Sequence, residues 1–113
     1  MMPIMTVSDL VKAGNFNVLN AADTDRAVTG VYIGDLLSWV MGRAKAGDIW
    51  ITIMSNINVV AVASLADVSC VILAEGAELD GDAMSAAKEK EINIIKSDFP
   101  IYETAVMISE LLK

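Results

Sequence analysis

The stretch Thr29–Met54, TGVYIGDLLSWVMGRAKAGDIWITIM, limits the possible folds more than any other part of the chain. An apolar run with β-branched and aromatic residues (Val28, Val31, Tyr32, Ile33) is broken by Gly34-Asp35. Asp35 has the chemistry of a helix N-cap, because its side-chain oxygen can accept from a free first-turn N–H. Leu36, Leu37, Trp39, Val40 and Met41 follow at helical spacing. Gly47 fits the position just past the helix end. Asp48 to Met54 is a second short run of β-branched and aromatic residues. Strand, helix and strand joined by tight turns form a βαβ unit, the connection that places two strands side by side in parallel.

The pattern recurs. Strand candidates begin near Val31, Ile49, Cys70 and Ile92. That spacing of about 20 residues is what successive strand–turn–helix–turn units need. The Thr6-Val7-Ser8-Asp9 box predicts a short first helix stopped by Gly14, and Phe16–Leu19 is a short strand candidate. Asn20–Arg26 is a polar loop. Ser55-Asn56 ends a strand and caps the helix Ile57–Ala66, which is apolar nearly all round. A helix of that kind is either sandwiched in the core or sits at a subunit contact. A strand rivals that reading, but the Ala and Leu content favours helix. Val68–Leu73 is the next strand and Glu75–Glu78 a turn. Asp80 or Asp82 caps a helix over Ala83–Lys90, and Ile92–Ile95 is a strand. Ser97–Pro100 opens the last helix, with Ile101, Ala105, Ile108, Leu111 and Leu112 on its apolar face. The prediction is one domain over 1–113: a three-layer α/β/α fold with a mainly parallel sheet of about four to five strands, built from successive β-α units.

Composition narrows the function. Apolar residues make up 55% of the chain, with few aromatics. That excess points to a closely packed interior, or to apolar surface covered by another copy or a partner. The net charge of −7 argues against nucleic acid and against an anionic membrane surface. Apolar runs such as Val59–Ala63 are too short to cross a membrane. The opening MMPIMTVSDL has no basic region before an apolar core, so it does not read as a signal peptide. The one cysteine, Cys70, sits in an apolar run and reads as a small core residue. A cytoplasmic location is the simplest account.

Much chemistry is missing. With no histidine, Ser-His-Asp triads, Cys-His pairs and imidazole zinc sites are excluded. Neither G-x-x-x-x-G-K-[ST] nor G-x-G-x-x-G occurs, so the usual backbone cradles for nucleotide phosphates are absent. No cofactor or metal is called for. What remains is the set of loops after the strands, where open parallel sheets bind their ligands. The candidate ligand-binding residues there are Gly34, Asp35, Ser55 and Asn56, and the N–H groups at the Ser55-Asn56 helix start can hold an anion. Each is equally readable as a cap or a turn. Asp35, Glu75 and Asp98 would share a divalent cation only if the fold gathered them. Arg26 is expected to pair with Asp23 or Asp25. Trp39, Met41 and Tyr32 read as core or dimer contacts.

Asp25-Arg26, then Thr29-Gly30, then GVYIGDLLSWVMGRAKAGDIWITIMSN, with VSCVILAEG and INIIKSD downstream, resembles the DRTGG domain over nearly the whole chain. The sequence departs from the family name at Val31, where a second glycine would stand. Asp67 and Glu91 occupy helix-to-strand turns where glycine is expected on physical grounds. DRTGG domains are similar to the non-catalytic N-terminal domain of the kinase/phosphatase that acts on the phosphocarrier protein HPr. They also occur beside cystathionine-β-synthase-type (CBS) nucleotide sensors in regulated pyrophosphatases. The resemblance implies a small bacterial or archaeal regulatory module with no kinase activity of its own. Together with the apolar excess, it gives a non-enzymatic homodimer with an unidentified protein partner as the first expectation. The all-round apolar helix, or the helix Leu36–Met41, would contribute to the contact. The alternative is an adenine-nucleotide sensor that binds at the loops after the strands.

Overall fold

The computed structural model describes residues 5–113. The first four residues of the opening that carries no signal-peptide pattern lie outside the described residues. Five strands form one sheet: β1 (Asn17–Asn20), β2 (Gly30–Ile33), β3 (Asp48–Thr52), β4 (Cys70–Leu73) and β5 (Ile94–Lys96). Their order is β1-β5-β4-β3-β2. β2 to β5 run parallel, and only β1 is antiparallel, against β5. Five helices complete the fold: α1 (Val7–Gly14), α2 (Leu37–Arg43), α3 (Ile57–Ala66), α4 (Gly81–Glu89) and α5 (Ile101–Leu111). This is the predicted α/β class, with a mixed, mostly parallel sheet.

Strand alternation builds two cores. On β3, Trp50 points to one face while Ile49 and Ile51 point to the other, as a period of two requires. Trp50, Val71, Leu73 and Ile94 pack against Val40 of α2, Val59, Val60 and Ala63 of α3, and Ala83 and Ala87 of α4. Ile49, Ile51, Cys70, Ile72 and Ile95 pack against Leu10 of α1 and Ile108 of α5. Three helices therefore cover one face and two cover the other. The central strands β3 and β4 are buried on both faces, which explains their continuous apolar sequence.

The helix ends follow local chemistry. Thr6 and Asp9 form a reciprocal capping box on α1, with bonds of 3.0 and 3.1 Å. Asn56 caps α3 by accepting from the Asn58 N–H at 2.9 Å. Asp67 and Glu91, which stand where glycine was expected, do adopt the left-handed conformation, at φ 60° and 56°. Each stores about 1 kcal/mol of backbone strain. At Asp67 the strain is offset by Arg26, whose guanidinium donates to the Asp67 carboxylate at 2.8 Å and to its backbone carbonyl at 2.6 Å. Arg26 does not pair with Asp23 or Asp25, because the polar loop lays it across the α3–β4 turn instead.

Several expectations are decided between their alternatives or corrected. Asp35 does not cap α2. The chain runs one residue further, and extended Leu36 takes that position without a side-chain bond. Gly47 is not the α2 stop, since the helix ends at Arg43 with Ala44 as its C-cap. Gly47 instead forms the turn into β3 with φ +86°, where an added Cβ would also collide with Thr29. Asp80 stands at the N-cap of α4 without a side-chain bond, and Asp82 accepts from Ala83 N–H. The all-round apolar α3 is sandwiched between α2 and α4 over the sheet, so its buried residues are core. Trp39 and Met41 are not core. They are 52% and 45% exposed, and the Arg43 guanidinium stacks 3.7 Å from the centre of the Trp39 ring.

Cys70 has no accessible surface, and burial pushes its thiol up to about 12. A thiol of that kind is inert at neutral pH. Thiol reagents should leave the native protein unmodified and label one site per chain in denaturant. Rapid labelling under native conditions would show that the α5 layer opens readily.

Candidate functional site

The loops after the parallel strands meet along one end of the sheet. The structure brings Gly34, Asp35, Ser55 and Asn56 to that end, on the β2–β3 side, and Glu75, Gly76 and Asp98 on the β4–β5 side. Their bonds are mostly internal. The Gly34 N–H donates to the Ile51 carbonyl, and its own carbonyl accepts from Trp50 Nε1 at 2.9 Å. Asp35 Oδ1 accepts from Thr52 Oγ1 at 2.6 Å and from the Ile53 N–H at 3.0 Å. The Ser55 carbonyl accepts from the Asp80 N–H, which ties this loop to the start of α4. Asn56 is occupied as the α3 cap.

On the other side, Glu75 accepts from the Ile101 N–H at 3.1 Å and so caps α5. Lys96 lies 3.3 Å from Glu78 and 3.7 Å from Asp98. Asp35, Glu75 and Asp98 thus each serve a separate local bond. Among the described residues, no group of three or more His, Cys, Asp or Glu side chains is placed to hold a metal ion. Exposed Leu36, Ile53, Ile57 and Phe99 stand beside these loops.

The Asp35 carboxylate is the best-engaged group at this end. Thr52 is fully buried, so its hydroxyl has no water to fall back on. Asp35→Ala should lower stability by about 1.5–3 kcal/mol, the range for a lost charge-assisted bond with a stranded donor. Adding Thr52→Val should restore part of that loss in a denaturant-melt cycle. Additive effects would mean that the two side chains do not share a bond in solution.

Sequence reading missed two further features. The first is a polar pocket of about 150 Å³ at the opposite end of the sheet, lined by Asp23, Arg26, Asp67, Ser69, Lys90 and Asn93 among others. Asn93 organises it: its amide donates to the Asp23 and Ser69 carbonyls, and its oxygen accepts from the Ala22 N–H at 2.7 Å. A lone Asn inside the apolar run Ile92–Ile95 was the available signal, since a buried amide needs several fixed partners. The second is an apolar groove of about 530 Å³ between β2 and α5, lined by Val31, Tyr32, Ile33, Ala105, Ser109, Leu112 and Lys113.

The residues Asp25-Arg26 and Thr29-Gly30 gather at the polar end. The Thr29 N–H donates to the Gly47 carbonyl, and the Gly47 N–H to the Asp67 carbonyl that Arg26 also binds. A Cβ at Gly30 would lie 2.6 Å from Asp48 Oδ1. These residues fix the turns that feed β2, β3 and β4. The DRTGG domain family model matches residues 9–111.

The chain belongs to the DRTGG domain family. No curated protein matches it. Among solved structures, this DRTGG domain is similar to the CBS and DRTGG domains of the regulatory region of Clostridium perfringens pyrophosphatase, complexed with its activator diadenosine tetraphosphate. The TM-score is 0.76 at 16% identity, over 91% of this chain and 45% of that one. The likeness shows a shared fold, and this chain spans less than half the length of that structure. No helix among the described residues is long and apolar enough to cross a membrane.

Proposed function

We propose that this DRTGG domain is a non-enzymatic regulatory or interaction module that acts as a homodimer. The observation that carries the reading is the family match over 9–111, joined to a solved relative that is part of a regulatory region. The site chemistry agrees with it. The carboxylates at the strand ends serve local structure: Asp35 holds the end of β3, Glu75 caps α5, and Asp98 faces Lys96. An acidic surface with exposed apolar residues suits binding to protein better than binding to nucleic acid.

A second reading is favoured by one observation: the similar pyrophosphatase region was solved with diadenosine tetraphosphate. In that reading Gly34, Asp35, Ser55 and Asn56 bind an adenine nucleotide at the loops after the strands. A thermal melt separates the two readings, run with millimolar AMP, ADP, ATP or diadenosine tetraphosphate and Mg²⁺. A ligand at about 100 times its dissociation constant adds about 2.7 kcal/mol to the native state. In a domain of this size that raises the midpoint by roughly 10 °C or more. A shift of that size, lost in Asn56→Leu, would establish the sensor. A flat panel favours the interaction module, and a monomeric wild type in light scattering would remove the homodimer from it.

A further inference from the structure

The charge of the chain is unevenly placed. At the end of the sheet where the parallel strands finish, Asp35 follows β2, Asp98 follows β5, and Glu75, Glu78 and Asp80 lie between β4 and α4. Asp82 and Glu103 join them from the first turns of α4 and α5. All seven are exposed, and Lys96 is the one base among the described residues at that end. Seven carboxylates against one lysine give −6, nearly all of the −7 that the whole chain carries. At the opposite end Arg26, Arg43, Lys45, Lys88 and Lys90 nearly balance the carboxylates around them.

Helix starts do not account for this surplus. α2, α3, α4 and α5 all begin at the acidic end, and each N-terminus supplies about half a positive charge. Together they offset about 2 of the negative charges and leave about −4. Glu75 caps α5, and Asp82 accepts from the Ala83 N–H. Glu78 and Asp98 face Lys96 instead, and Asp80 stands at the α4 N-cap without a side-chain bond. Apolar side chains are exposed at the same end: Phe99 and Tyr102 beside the carboxylates, and Leu36, Ile53 and Ile57 on the β2–β3 side.

We infer that this end of the sheet is a docking surface for a basic segment of another protein, one that carries several lysines or arginines together with aliphatic or aromatic side chains. The inference rests on the interaction-module reading above and names the chemistry of its partner. Charge sets the sign of that partner, because a surface of one sign draws in the opposite sign and repels its own. The exposed apolar side chains set its class. They gain by being covered, and a small inorganic cation cannot cover them. A nucleotide would bring its phosphates against the same surplus, so the charge that favours a basic segment opposes a nucleotide at these loops.

The test titrates the whole chain with three short peptides in a calorimeter: alternating Lys and Leu, alternating Lys and Ser, and alternating Glu and Leu. The Lys-Leu peptide should bind with a Kd of about 100 μM or tighter at about 50 mM salt, and at least about tenfold more weakly at about 500 mM, where screening shortens the reach of the charges. The Lys-Ser peptide should bind at least about tenfold more weakly than Lys-Leu, and the Glu-Leu peptide should not bind. Asp80→Ser/Asp98→Asn/Glu103→Gln should weaken Lys-Leu binding at least about tenfold. Asp25→Asn/Glu89→Gln/Glu110→Gln removes the same amount of charge elsewhere and should stay within about twofold of the wild type. All six positions are exposed, so circular dichroism should show both variants folded. The docking surface is overturned if the Lys-Leu peptide does not bind, if the two variants behave alike, or if Lys-Ser binds as tightly as Lys-Leu. The interaction module then keeps its other faces. A nucleotide shift in the thermal melt that is lost in Asn56→Leu overturns both.

Discussion

Val60→Asp should unfold the domain, and Leu65→Asp, five residues along the same helix, should leave it unchanged. Both are apolar residues of an apolar helix, and composition alone gives them equal standing. Their surroundings differ. Val60 has no exposed surface and packs in the core that α2, α3 and α4 share with Trp50. Leu65 is 70% exposed. A carboxylate at position 60 has no partner within that core and no water. Such a charge costs on the order of 5 kcal/mol, as large as the whole stability of many domains. A charge at position 65 meets solvent, where substitutions usually fall within about 0.5 kcal/mol of neutral. Circular dichroism and a thermal melt check both. A folded Val60→Asp would mean that α3 is not packed on the sheet. A folded Leu65→Asp that lost self-association would return α3 to the dimer contact expected from its sequence.

The α3 case shows where sequence information ended. The repeated strand–helix alternation was legible because it rests on local periodicity, and β2 to β5 with their helices follow from it. Strand order was not legible, since nothing in an apolar run such as Val68–Leu73 says which neighbour it pairs with. β1 was visible only as a candidate, because it is short and carries two asparagines. Its antiparallel direction depends on a long-range match with β5. The Asp35 error was local. A carboxylate one residue before the cap has the same sequence signature as the cap itself, and only the neighbouring β3 reveals that Thr52 holds it. The Arg26 error was long-range, since its partner Asp67 lies 41 residues away. The β2–α5 groove was invisible for the same reason. It exists because α5 settles over β3, which depends on the packing of the whole layer.

The largest single packing contribution is expected from Trp50, and Trp50→Ala should cost about 3–5 kcal/mol, the range for a large aromatic removed from a core. Trp50 has no exposed surface and sits on β3, between β2 and β4, facing the core beneath α2, α3 and α4. Three helices converge on that face, so the cavity left by alanine cannot close by moving one of them. The indole also reaches the turn just past the end of β2, where Nε1 donates to the Gly34 carbonyl at 2.9 Å. One residue therefore fills the larger core and holds the turn that carries Asp35. Trp50→Phe separates the two roles. It keeps most of the volume and removes the donor, so its cost should be nearer 1–2 kcal/mol. In a domain of this size the alanine variant should melt roughly 15 °C or more below the wild type, and the phenylalanine variant only several degrees below it. The phenylalanine variant also bears on function. If the strand-end loops bind a nucleotide, freeing the Gly34 turn should weaken that binding by more than the stability loss explains. If the loops are structural, Trp50→Phe should leave self-association intact, because the indole bond holds only the Gly34 turn.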